Sequence, residues 1–302
     1  MRIGITVGGT STRIGLDGLS RRARDLESRG FSTLWIPNVF GHDAITTSTV
    51  IGHETQHIEI GTAVVPTFPR HPTALAQQAL TAAAACRGRF TLGIGLSHPA
   101  VIEGMLGLPY THPARHMREY LAVLGPLLRG EPAQFQGEEY RVNLALGLPD
   151  APRVPVLVAA LGDQMLKIAG RHATGTILWM TGPRTIEEHI RPKLRKAARE
   201  AGRPEPRIVV GMHIALTSNA AAANERVGKL LAMYAQMPSY RAMVDKEGGE
   251  SPADLALVGD EAVLDAGLER LRQLGVSDFQ ASIVRAEEGG DARTLEFLES
   301  RL

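Results

Sequence analysis

The chain has 302 residues, 44% of them hydrophobic and 22% charged, with a formal net charge of +1 at pH 7. No basic stripe or acidic tail is present, which argues against a nucleic-acid or membrane-surface protein. One cysteine, Cys86, excludes an internal disulfide, and the chain enters a strand at Arg2 with no signal segment and no apolar run of membrane length. A cytoplasmic protein is the expectation.

In chain order, short β-branched runs alternate with amphipathic stretches, the pattern of a parallel sheet wrapped by helices. Strands are predicted near residues 2–8, 31–37, 58–65, 89–95, 153–159, 175–181, 206–217 and 277–284. Helices are predicted near 17–29, 43–54, 72–86, 114–129, 163–171, 184–201, 220–246, 260–274 and 291–301. Eight strands suggest a closed (β/α)8 barrel, which accounts for residues 1–302 as one domain. Two stretches interrupt the alternation and read as insertions. Residues 130–152 suggest a hairpin and loop, whereas 237–259, rich in Pro, Ser, Gly and charge, suggests a loop covering the barrel mouth.

His53-Glu54-Thr55-Gln56-His57 matches the zinc-protease pattern H-E-x-x-H, which requires both histidines on one continuing helix. Strand composition starts at Ile58, so the helix should end inside the motif and no zinc site is expected there. His112 and His116 form another i, i+4 pair, read as surface or loop-packing residues. No H-x-H follows the first strand, which disfavours a metal-dependent hydrolase.

Chemistry in such a barrel sits at the carboxyl ends of the strands. These ends read Val7-Gly8-Gly9, Pro37-Asn38-Val39, Val64-Val65-Pro66, Gly95-Leu96-Ser97-His98, Ala159-Ala160-Leu161-Gly162 and Trp179-Met180-Thr181-Gly182. They are small, apolar and nearly uncharged, suiting a flat aromatic cofactor better than a sugar or a metal ion, and they lack the carboxylate and lysine clusters of glycosidases or aldolases. The fifth end leads through Gly162 into a helix whose first N–H groups could receive a phosphate; alternatively, Asp163 caps that helix.

The segments Ile60-Gly-Thr-Ala-Val-Val-Pro-Thr-Phe-Pro-Arg-His-Pro72, Leu75-Ala-Gln-Gln-Ala-Leu-Thr81 and Gly88-Arg-Phe-Thr-Leu-Gly-Ile-Gly-Leu-Ser-His-Pro99 resemble the bacterial-luciferase-like superfamily, especially its members using coenzyme F420. So do Pro155-Val-Leu-Val-Ala-Ala-Leu-Gly162 and Gly175-Thr-Ile-Leu-Trp-Met-Thr-Gly-Pro183. The resemblance implies a non-proline cis peptide at Ala63–Val64 under the cofactor ring, and a cofactor phosphate at the fifth strand end. It implies cofactor contacts at Gly8, Asn38, Ala63, Val64, Val65, Gly95, Leu96, Ser97, Ala159, Ala160, Leu161, Gly162, Thr181 and Gly182. Many relatives end the second strand with an Asp-His pair, whereas this chain has Pro37-Asn38-Val39-Phe40. His98 and His42 are then the candidate proton donors, with Asn38 able to hydrogen-bond a substrate or ring carbonyl.

Relatives that bind FMN often place an arginine after the fourth strand. Leu96-Ser97 stands there instead, which favours F420. The resemblance thus implies hydride transfer between F420 and a small organic substrate, with an FMN-dependent monooxygenase or a non-catalytic cofactor-binding barrel as alternatives. Arg70, Arg87 and Arg89 are candidates to attract the acidic F420 tail, or else are ordinary helix-end charges. A homodimer through helices flanking strands two to four is also implied, and the alanines between Ala74 and Ala85 suit either that contact or core packing.

Overall fold

A computed structural model describes residues 1–8, 14–148 and 151–302. Eight parallel strands close into a barrel: β1 (Arg2–Thr6), β2 (Thr33–Ile36), β3 (Glu59–Thr62), β4 (Phe90–Gly95), β5 (Val156–Ala159), β6 (Gly175–Trp179), β7 (Arg207–Leu216) and β8 (Asp278–Ile283). Each pairs with its successor, and β8 closes on β1 with Arg2 opposite Asp278 and Ile5 opposite Ala281. Helices cover the outside, and the expected (β/α)8 architecture is the observed one.

The aliphatic residues at alternate positions, such as Ile3, Ile5, Ile60, Leu92, Ile94, Val158, Ile208 and Val210, face outward into the main core beneath the helices. The other set faces the barrel interior and stacks in layers. At the amino-terminal end Arg207 donates to both Asp278 oxygens at 2.7 and 2.8 Å and to Glu59 Oε1 at 2.8 Å. Arg2 also pairs with Glu59 and Asp278. Above this ionic layer lies the fully buried Trp35, packed with Leu157, Ile177 and Val209. A Cβ built on Gly61 would lie 2.4 Å from the Trp35 ring, so only glycine leaves room for an indole inside so narrow a barrel.

The helices start and stop within a residue or two of expectation, with one exception. The stretch expected as one helix over 220–246 is three: Ala220–Leu230, Ala232–Ala235 and Pro238–Glu247. Pro238 takes the first-turn position of the last of these, and Gly248 ends it with φ 83°. The expected loop at 237–259 is accordingly mostly ordered as that helix, a 3-10 turn at Pro252–Leu255 and a short strand, Leu257–Gly259, that extends the sheet beside β7. The 130–152 insertion is a hairpin of Ala133–Gln136 with Arg141–Leu144, as anticipated, although residues 149–150 lie outside the described residues.

The helix carrying His53 ends at Glu54, and the amides of Gln56, His57 and Ile58 all donate to Glu27 Oε1. His57 therefore stands outside the helix that the zinc motif needs. The alanines of helix Pro72–Ala85 serve core packing: Ala76, Ala79, Ala82 and Ala83 are fully buried. Cys86 closes that helix with its thiol buried against Gly52, where burial pushes the thiol up to about 11. Among the described residues no helix is long and apolar enough to cross a membrane.

Candidate active site

Beyond β3 the Ala63–Val64 peptide is cis, and Val65–Pro66 then pairs with the upper half of β4. This detour turns Ala63 and Val64 inward, where they join Ala159 above Trp35. Val64 lies across β4: a Cβ on Gly95 would fall 2.8 Å from one of its methyls and 3.2 Å from Ala159. The resulting floor of Ala63, Val64, Gly95 and Ala159 carries no ionisable group. Four other expected contact residues turn their side chains away, Leu161 among them. Val65, Leu96 and Ala160 pack into the outer core under the helices, leaving only their backbone for the mouth. Ser97 adopts a left-handed conformation (φ 61°), as does Gly8 (φ 84°), and residues 9–13, including Gly9 of the expected first strand end, lie outside the described residues.

At the end of β5 the helix Asp163–His172 starts with Gly162 as N-cap and no side-chain cap. Asp163 is the first helical residue, not the cap. Its carboxylate is drawn outward by Lys193 Nζ at 2.5 Å, which holds it below the usual carboxylate range. The first-turn amides are thus left to an outside acceptor, and a Cβ on Gly162 would meet nothing within 4 Å. His189 Nε2 meets the Leu161 carbonyl oxygen at 2.7 Å, fixing the turn.

The corresponding turn after β6 is arranged differently. Glu247, the last residue of helix Pro238–Glu247, accepts from Arg184 N at 3.0 Å, Thr185 N at 2.8 Å and Thr185 Oγ1 at 2.7 Å. Its carboxyl carbon would lie 2.2 Å from a Cβ on Gly182. The Thr181 hydroxyl points back to the Trp179 carbonyl at 3.3 Å. Of the expected cofactor contacts, Thr181 and Gly182 are therefore occupied by the protein itself. The helix so anchored belongs to a small apolar cluster of Met180, Val227, Leu231, Val244 and Leu255, against which Trp179, Tyr234 and Tyr240 pack. Residues 220–259 thus roof the β6–β7 side of the mouth.

The expected proton-handling residues are spread around the rim. His98 precedes the short helix Pro99–Ile102 and forms no capping bond. Its ring lies 5.4 Å from that of Tyr240, and burial lowers its pKa. His42 is exposed and borders a groove shared with Ile14, Asp17 and Arg21. Asn38 Oδ1 accepts from Ala44 N at 3.0 Å, so its carbonyl holds a helix start and only its amide nitrogen remains for a ligand. Sequence reasoning named Trp179 only within a strand end and missed His213; the two face the interior from β6 and β7 with ring centroids 5.1 Å apart. Strand alternation from Arg207 through Val209 and Gly211 was the available signal.

Arg87 and Arg89 lie just before β4, at the opposite end of the barrel. Arg89 donates to the carbonyls of Gly52, Thr55 and Ile58. Arg70 pairs with Asp43 at 2.6 Å. Among the described residues no cluster of three or more His, Cys, Asp or Glu could hold a metal ion.

The profile of the luciferase-like monooxygenase family matches residues 1–281. The chain belongs to this family. It is 28% identical over 302 residues to an uncharacterized protein of Mycobacterium tuberculosis, covering 92% of this chain and 85% of the relative. It is 28% identical over 229 residues to the F420-dependent glucose-6-phosphate dehydrogenase of Nakamurella multipartita, covering 73% and 65% of the two chains. The coenzyme F420-dependent tetrahydromethanopterin reductase of Methanopyrus kandleri shares the fold, with a TM-score of 0.81 at 20% identity over 100% of this chain and 98% of that one.

Proposed function

We propose that the protein is an F420-dependent oxidoreductase that passes a hydride between the deazaflavin and a small organic substrate. The observation that carries this reading is the conjunction at one mouth of an uncharged floor and an open, uncapped helix start at Gly162. The floor suits an aromatic ring and the helix start suits a phosphate. In this reading Ala63, Val64, Gly95 and Ala159 support the ring, while the turn Ala159-Ala160-Leu161-Gly162 holds the phosphate through its amides. The bound cofactor supplies the carbon that accepts or releases hydride. The chain's task is to orient the two reactants and to exclude water beneath the roof of residues 220–259. The F420-dependent relative, and Leu96-Ser97 in place of an arginine, favour the deazaflavin over FMN.

Equilibrium titration of the protein with F420 and with FMN tests the reading. Tight F420 binding with weak FMN binding supports it. The reverse replaces it with an FMN-dependent monooxygenase fed by a separate reductase, and binding of neither discards the site. F420 retained without hydride exchange toward any acceptor identifies a silent binding barrel. A homodimer is proposed on the same footing. Sedimentation equilibrium giving twice the 32.5 kDa chain mass supports it, and a single-chain mass ends it.

A further inference from the structure

The inward face of β7 rises from Arg207 in the ionic layer, through Val209 beside Trp35, to Gly211, where a Cβ would fall 2.7 Å from the Trp179 ring and 3.2 Å from Gln280 Oε1. The next inward residue is His213, opposite Ser282 of β8. Among the described residues it is the one histidine borne on a barrel strand. Its ring stands edge-on to Trp179, at 70° between planes, and its Nδ1 is buried with no hydrogen-bond partner among the described residues. Polar groups lower in the same interior are largely paired: Gln280 donates to Thr6 Oγ1, and Arg207 and Thr91 both donate to Glu59. Nδ1 is closed off by the protein, so a ligand would reach the ring through Nε2, which is not enclosed in this way and makes no hydrogen bond among the described residues.

Resting on the proposed function, we infer that His213 and Trp179 form the binding subsite for the second substrate, and that this substrate is a neutral, largely apolar molecule whose alcohol or carbonyl oxygen bonds the His213 imidazole. The floor assigned to the cofactor ring is on the β3–β5 side, whereas His213 and Trp179 stand on β6 and β7 beneath the roof. An occupant there would lie between the cofactor ring and the roof. Beside Trp179 the roof cluster presents Met180, Val227, Leu231, Val244 and Leu255, with Tyr234 and Tyr240 against it, an apolar wall that favours a neutral substrate. Burial lowers the His213 pKa to about 4, so at neutral pH the ring is uncharged, with one nitrogen to donate and one to accept. It therefore suits either an alcohol or a ketone.

The test uses the full-length protein, its H213A and H213Q variants, and cyclohexanone, methylcyclohexane and cyclohexanecarboxylate as probes. F420 affinity is measured first, by cofactor fluorescence. Each probe is then titrated while the histidine ring nitrogens are followed by 15N NMR. The inference expects F420 affinity to be equal in all three proteins. Cyclohexanone should shift the His213 ring nitrogens and bind H213A about 3- to 10-fold more weakly. Methylcyclohexane should bind wild type and H213A alike, and the carboxylate should bind worst. Unmoved His213 resonances, equal ketone affinity in H213A, or preferred binding of the carboxylate overturns the subsite. Loss of F420 binding in H213Q also overturns it, because His213 then belongs to the cofactor site. Failure of wild type to bind F420 sinks the proposed function alone, since the ketone titration of the free protein still decides the role of His213.

Discussion

Arg207 starts β7 pointing into the barrel, and its guanidinium joins two carboxylates from strands distant in sequence while lying 5.5 Å from the Trp35 ring centroid. Asp278 is 2% exposed at its side chain, so removing the arginine leaves a buried charge with one remaining partner, Arg2. R207A is expected to lower unfolding free energy by about 3–5 kcal/mol, read from the midpoint of urea denaturation. A second residue makes stability depend on acidity. His116 is 4% exposed and stacked on Phe68 at 3.9 Å, with Nε2 2.9 Å from Thr67 Oγ1 and Nδ1 3.3 Å from the Tyr140 hydroxyl. Burial brings its pKa down to about 4, below the ordinary value of 6.5 that it regains on unfolding. Between those values the unfolded chain binds more protons, so this stabilisation is full above pH 6.5 and is lost as the pH falls toward 4. The residue should remove about 2 kcal/mol between pH 7.5 and pH 5, and H116Q should flatten that part of the urea-stability profile.

The roof is held by the Glu247 carboxylate at one end of its helix, with three hydrogen bonds crossing to Arg184 and Thr185. E247A removes them all, and amide hydrogen exchange over residues 238–247 should then speed up about tenfold or more while the barrel strands keep their protection. G182A should act in the same direction, because its methyl displaces the carboxylate. Unchanged exchange in both variants would show that the apolar cluster alone holds the roof. Some of this element was legible in sequence. Pro238 and Gly248 are the start and stop signals of a ten-residue helix, yet that stretch was read both as the end of one helix over 220–246 and as the start of a loop over 237–259, so its separate start at Pro238 was missed. The attachment itself was not legible, since Glu247 and Thr185 are 62 residues apart and nothing local marks either as a partner. The barrel strands were read correctly because their outward faces are short apolar runs, bounded by polar, Gly or Pro residues. His213 was overlooked because its importance lies in the phase of alternation along β7, which Gly211 interrupts.

Across the whole molecule the two ends of the barrel divide the labour. The amino-terminal end holds the charges that secure closure, and the carboxyl-terminal end holds an uncharged floor, an open helix start and a roof. Changes at one end should therefore leave the other's property intact. R207A, although destabilised, should bind F420 with wild-type affinity in the folded protein, measured by fluorescence well below its unfolding temperature. F420 at a hundredfold excess over its dissociation constant should stabilise the native state by about 2.7 kcal/mol, visible as a rise of several degrees in Tm. The one cysteine lends itself to following the roof directly. Cys86 is buried, un-ionised at neutral pH and walled in by Gly52, so a thiol-reactive dye added to the native protein should leave it unmodified. A cysteine introduced at the half-exposed Met233 would then be the sole labelling position, and a fluorophore there could report roof opening in real time without first rebuilding the core.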